Sequence, residues 1–176
     1  MFKKFATAAL AVTFLVVGSA QAAILEFGAL LTGDQETPPT ATTATGSAFV
    51  LFDDISKEFV FNLSFTGLTA PVVASHVHTA PVGVAGAVAF DIAGMLVDGT
   101  GKSTGIFAGL TILSATQELA LKAGDLYFNL HTATFPGGEI RGQILPGSVT
   151  IVPLPGAVLL LGSAFGGLLL TRRRAA

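Results

Sequence analysis

The chain reads as an all-β protein. It is expected to form an antiparallel Greek-key sandwich or barrel of about eight strands with one short helix. Three observations predict this. Apolar and polar residues alternate in short runs, Gly- and Pro-rich turns recur at about ten-residue spacing, and only one segment carries helix-boundary signals. An N-terminal signal and a C-terminal hydrophobic helix are expected at the ends.

The clearest strand is "EFVFNLSF" (58–65). Phe59, Phe61, Leu63 and Phe65 take one face, and Asn62 and Ser64 the other. "GSAFVLF" (46–52) precedes it through the polar hairpin "DDISKE". "ILEFGALLT" (24–32), "VVASHVHT" (72–79), "AVAFDIA" (87–93), "GIFAGL" (105–110), "DLYFNLH" (125–131) and "EIRGQIL" (139–145) complete the set. "FPGGE" (135–139) reads as a tight reversal that needs glycine at positive φ. The helix is placed at 115–122. Ser114 and Gln117 form an S-x-x-Q capping box before it, and Gly124 stops it.

The ends read as targeting segments. Lys3 and Lys4 precede a short apolar run, and Ala20-Gln21-Ala22 is an A-x-A cleavage site, which makes 1–22 a signal peptide. The rival is an uncleaved anchor. Residues 147–176 form a linker and tail. There an apolar stretch at 156–171 is followed by Arg172, Arg173 and Arg174, which should stay cytoplasmic. Val152, Pro153, Leu154 and Pro155 open this tail. It resembles the PEP-CTERM class of bacterial sorting signals in its VPLPA variant, with Gly156 where that class has alanine. The resemblance implies an exosortase-type sorting enzyme as partner. It also implies an exported protein of the bacterial envelope, held at first by its tail in the membrane. An LPxTG sortase motif is absent.

Between the ends lies one domain, 23–146, long enough for a single core. All 11 acidic residues fall here against Lys57, Lys102, Lys122 and Arg141, a balance near −7. So acidic a surface repels phosphate, which argues against nucleic acid as a partner. Cysteine is absent, so no disulfide supports the fold.

Chemistry concentrates on three histidines. His76 and His78 share a strand face. In a later strand Tyr127, Asn129 and His131 share a face, and in the last Glu139, Arg141 and Gln143 do. With each apolar set turned to the core, the polar sets lie on the outer wall, beneath the loop "TAPVGVAGAV". Two readings of the rings stand. They bond to loop carbonyls and carboxylates and so pin the loop, or with water they hold one zinc or copper ion. Arg141 is the candidate for orienting an anion or for an outer-shell role, and Glu36 is a weaker outer-shell candidate. Ser75 faces away from His76, which disfavours a nucleophile pair. Asp53, Asp54 and Asp98 sit in turns, where aspartate bonds its own backbone; calcium is the rival use there. No glycine-rich phosphate loop stands in a β–α context.

Four stretches carry a family resemblance: "LTGDQETPPT" (31–40), "ATGSAFVLFDD" (44–54), "FNLSFTGLTAPVVASHVHTAP" (61–81) and "LYFNLHTATFPGGEIRGQI" (126–144). They resemble the CHRD domain, which implies an extracytoplasmic β-domain without an established activity. More distantly, the order His76, His78, His131, Arg141 is similar to that in Cu/Zn superoxide dismutase. No histidine lies between His78 and His131 to bridge a second metal, so the likeness implies a single-metal site at most. The leading expectation is therefore a non-catalytic envelope module that binds or builds structure. A copper- or zinc-dependent redox enzyme of dismutase type is the alternative.

Overall fold

The computed structural model describes residues 23–99 and 101–147. The expected signal peptide, sorting motif and C-terminal helix lie outside the described residues. Among the described residues, no helix is long and apolar enough to cross a membrane.

Strands β1 (Ile24–Thr32), β2 (Thr45–Asp53) and β3 (Glu58–Thr66) form an antiparallel meander. It is followed by β4 (Val72–Thr79), β5 (Ala87–Asp91), β6 (Leu96–Asp98) and β7 (Gly105–Ile112). Helix α1 (Ala115–Ala123) leads to β8 (Leu126–Thr132), β9 (Ile140–Gln143) and β10 (Leu145–Pro146). The strands make one sheet in the order β5-β4-β8-β9-β1-β2-β3-β7-β6, with β10 beside β1. All pairings are antiparallel. The links β3–β4, β5–β6 and β7–β8 each cross from one half of this order to the other.

The halves meet weakly at β9–β1, where Thr32 and Arg141 are the paired residues. The sheet curls there into an open half-barrel whose apolar faces look at each other. The alternation of β3 supplies the filling. Phe59 packs on Phe90 of β5 (centroids 5.7 Å) and on Phe128 of β8 (6.5 Å), and Phe61 lies 5.4 Å from Phe128. Phe59 and Phe128 are fully buried. At ~1.5–3 kcal/mol for burying each such side chain, this contact is a main source of cohesion between the layers. Ile92, buried after β5, bonds through its N–H to the Ser75 carbonyl and closes the seam.

The helix forms as its caps dictate. The Ser114 side chain accepts from Gln117 N, Gln117 Oε1 accepts from Ser114 N, and Gly124 adopts φ +78. Three features depart from expectation. The strand placed at 87–93 ends at Asp91, because a 3-10 turn begins at Ala93. β6, only three residues long, lacks the alternation that reveals a strand. The expected strand 139–145 divides into β9 and β10, because Ile144 bonds back to Leu126 and sits in the core. Among the described residues the strand count is therefore ten.

Candidate metal centre

The polar face of β4, β8 and β9 is a grid fixed by register. His76 opposes Asn129, which opposes Arg141; His78 opposes Tyr127, which opposes Gln143. His131 opposes Ala74, so it meets His76 diagonally over the small alanine side chain. The face lies outside the core, yet loops bury it. His78, His131, Asn129, Glu139, Arg141 and Gln143 are each at most 9% exposed, and His76 is half-buried.

The three imidazoles converge. One nitrogen from each of His76, His78 and His131 lies within 4.8 Å of the others. Nδ1 of His76 is 3.1 Å from Nε2 of His131. The ring centroids of His76 are 5.4 Å from His78 and 4.9 Å from His131. Outer bonds set the tautomers. His78 Nδ1–H donates to the Gly86 carbonyl at 3.0 Å, and His131 Nδ1–H donates to the Pro136 carbonyl at 3.1 Å. Both Nε2 atoms thereby carry lone pairs, and that of His78 is buried without a protein partner. Burial pushes both rings below the usual histidine pKa, with smaller contributions from the neighbouring positive groups, against the pull of their carbonyl partners. Near neutral pH they are uncharged, the state that ligates metal.

Gly86 is held from both sides. Its N–H donates to the Tyr127 hydroxyl at 3.0 Å, while its carbonyl serves His78. A Cβ at Gly86 would sit 2.0 Å from the Thr79 carbonyl oxygen, so only glycine fits. Tyr127 stacks on His78 (centroids 5.1 Å, interplanar 13°), and the Arg141 guanidinium lies 3.6 Å from the Tyr127 centroid.

Arg141 is a loop clamp. Its terminal N–H groups donate to Thr37 Oγ1, the Val84 and Pro81 carbonyls, and Gln143 Oε1. Those bonds engage both terminal nitrogens and tie the 33–42 and 80–86 loops to β9. Glu36 is 6% exposed on the same face; its Oε2 receives a long bond of 3.5 Å from Asn129, and its Oε1 has no partner. Burial raises its pKa to about 7, against the lowering pull of Arg141. The face also holds a carboxylate that sequence reading did not single out. Glu139 accepts from Thr132, Thr42 and both the backbone and side chain of Thr69. Burial would raise its pKa, but these bonds together hold it below the usual value.

Of the remaining sequence candidates, Asp53 and Asp54 serve the turn after β2, whereas Asp98, expected in a turn, is the last residue of β6. Asp53 Oδ1 accepts from Ile55 N and Ser56 N, Asp54 Oδ1 from Ala23 N, and Asp98 pairs with Lys102 at 3.5 Å. Ser75 is fully buried, on the strand face opposite the histidines. Sequence reading did not identify the Gly86 and Pro136 carbonyls as acceptors, because a backbone group leaves no mark in residue type. Gly86, between Ala85 and Ala87 at the end of the 80–86 loop, was the available signal.

No curated protein and no solved structure matches the chain. The model of the CHRD domain matches residues 27–144, from β1 to the residue after β9 and across every member of the histidine face. The chain therefore belongs to the CHRD domain family.

Proposed function

We propose that this CHRD domain is an exported metal-binding module whose ion is held by His76 Nδ1, His78 Nε2 and His131 Nε2. One observation carries the reading: three ring nitrogens point at one another within 4.8 Å, and two of the rings have their other nitrogen committed to a carbonyl. Packing alone gives no reason to leave a buried Nε2 without a partner. Second-shell bonds of this kind orient metal-ligating histidines. All-imidazole ligation suits zinc or copper, with water completing the shell.

The setting of this activity is the bacterial envelope. The A-x-A site at Ala20 and Ala22 and the Val152–Pro155 motif with its arginine cluster support export, membrane retention and recognition by an exosortase-type enzyme. Recovery of a tagged chain from the cytosol with its N-terminus intact would contradict this.

A dismutase-type redox role is the second reading, favoured by the half-buried His76, which leaves one side of the cluster open. Arg141 weakens it as an anion-steering group, since both terminal nitrogens already bond within the protein. Elemental analysis of the purified protein tests the first reading. Near-stoichiometric zinc or copper, lost in His78→Ala, is expected; equal content in both contradicts it. A dismutase assay on copper-loaded protein then separates binding from turnover.

A further inference from the structure

His78 and His131 each have a built-in acceptor for the ring N–H that faces away from the cluster. His76 differs. Its Nδ1 faces the cluster, and the described residues give its other nitrogen no protein acceptor. A ligand with its lone pair on Nδ1 must carry its proton on Nε2, and that N–H needs somewhere to donate.

The register of β5 puts a carboxylate at this place. His76 pairs with Asp91, Val77 with Phe90, and His78 with Val88. Ala89 is skipped, which is a β-bulge. Without the bulge, Phe90 would oppose His76 on the polar face and Asp91 would point at the core. With it, Phe90 packs on Phe59, and exposed Asp91 lies on the histidine side. Directly opposed residues in an antiparallel pair have Cβ atoms about 4.5–5.5 Å apart, well within the combined reach of the two side chains. Asp91 Oδ1 accepts from Ala93 N at 2.6 Å, which anchors the carboxylate and leaves Oδ2 free. Of the other two carboxylates near the face, Glu139 is committed within its threonine cage, and Glu36 lies beneath the 33–42 loop, where its one bond comes from Asn129.

We propose that Asp91 is the positioning carboxylate of His76, accepting its Nε2–H and so holding the Nδ1 lone pair toward the cluster. It acts through His76 and is not a ligand, because its oxygens fall outside the group of atoms that lie within 4.8 Å of one another. In this structure the Asp91 carboxylate bonds Ala93 N, and the register alone sets it opposite His76. The bulge is then the device that gives the third histidine what loop carbonyls give the other two. This inference rests on the metal reading of the histidines.

The test uses the processed protein as purified, with Zn²⁺ affinity measured by chelator competition and the His76 Nε2–H hydrogen bond read from ring-nitrogen NMR of the zinc-loaded form; in the metal-free form His76 Nδ1–H instead donates to His131 Nε2 at 3.1 Å. Asp91→Asn is expected to weaken zinc binding about 10–100-fold and to shift the His76 Nε2–H resonance. Asp91→Glu should recover much of both. Unchanged affinity and resonance in Asp91→Asn, with zinc binding lost in His78→Ala, overturns the role of Asp91 and leaves the metal reading standing. If His78→Ala binds zinc like the wild type, the metal reading itself fails.

Discussion

Gly86 shows how one residue without a side chain governs the site. Its carbonyl fixes the His78 tautomer, its N–H fixes Tyr127, and no Cβ fits against Thr79. Gly86→Ala should therefore cost about 1–3 kcal/mol through overpacking and also lower metal retention. Unchanged denaturant midpoint and metal content in that variant would remove the loop from the account. Glu36 is the second residue whose environment gives a measurable consequence. Its folded pKa, about 7, stands above the ordinary 4.5. Its protonated form therefore stabilises the fold fully below pH 4.5, and that stability is lost as pH rises through about 7. His78 and His131, with lowered pKa values, act in the opposite sense: their neutral forms favour the fold above pH 6.5, and stability falls as pH drops below it. Glu36→Gln removes the first slope alone. Relative to wild type it should gain about 2–3 kcal/mol between pH 4.5 and pH 8. Chemical denaturation at the two pH values checks this, and a constant difference would show that the carboxyl titrates normally.

At the scale of elements, local chemistry and long-range packing divide the work. Helix α1 is specified locally by its reciprocal Ser114–Gln117 cap and by Gly124 at φ +78. Gln117 also reaches the Ala89 carbonyl at 3.0 Å, so the cap ties the helix to β5 at its bulge. Ser114→Ala should cost about 1 kcal/mol, seen as a lower midpoint with unchanged cooperativity; no change would mean that tertiary contacts alone hold the helix. The strands were legible for a different reason. Alternation in 58–65 and 46–52 assigns faces without ambiguity, since shifting a strand by one residue would turn its phenylalanines to water. That same periodicity placed His76, His78 and His131 on polar faces. It gave no sign of the Ala89 bulge, because alanine is accepted on either face. It also hid β6, whose three residues are too few to show a period.

For the whole molecule, the curled sheet separates two tasks. Its inner face is a phenylalanine-rich core. Its outer face on β4, β8 and β9 carries a polar layer that three loops cover and that Arg141 and Glu139 tie down. The order of the histidines along the chain suggested that they meet. That β8 lies between β4 and β9 is a property of the topology, which no single segment encodes. The central claim is that this layer is organised around an ion. Anomalous diffraction from crystals of the protein grown with Zn²⁺ tests it most directly. The account predicts one peak about 2.0–2.1 Å from His76 Nδ1, His78 Nε2 and His131 Nε2. Crystals that show zinc only at other surface positions, with no peak among the three rings, would contradict it.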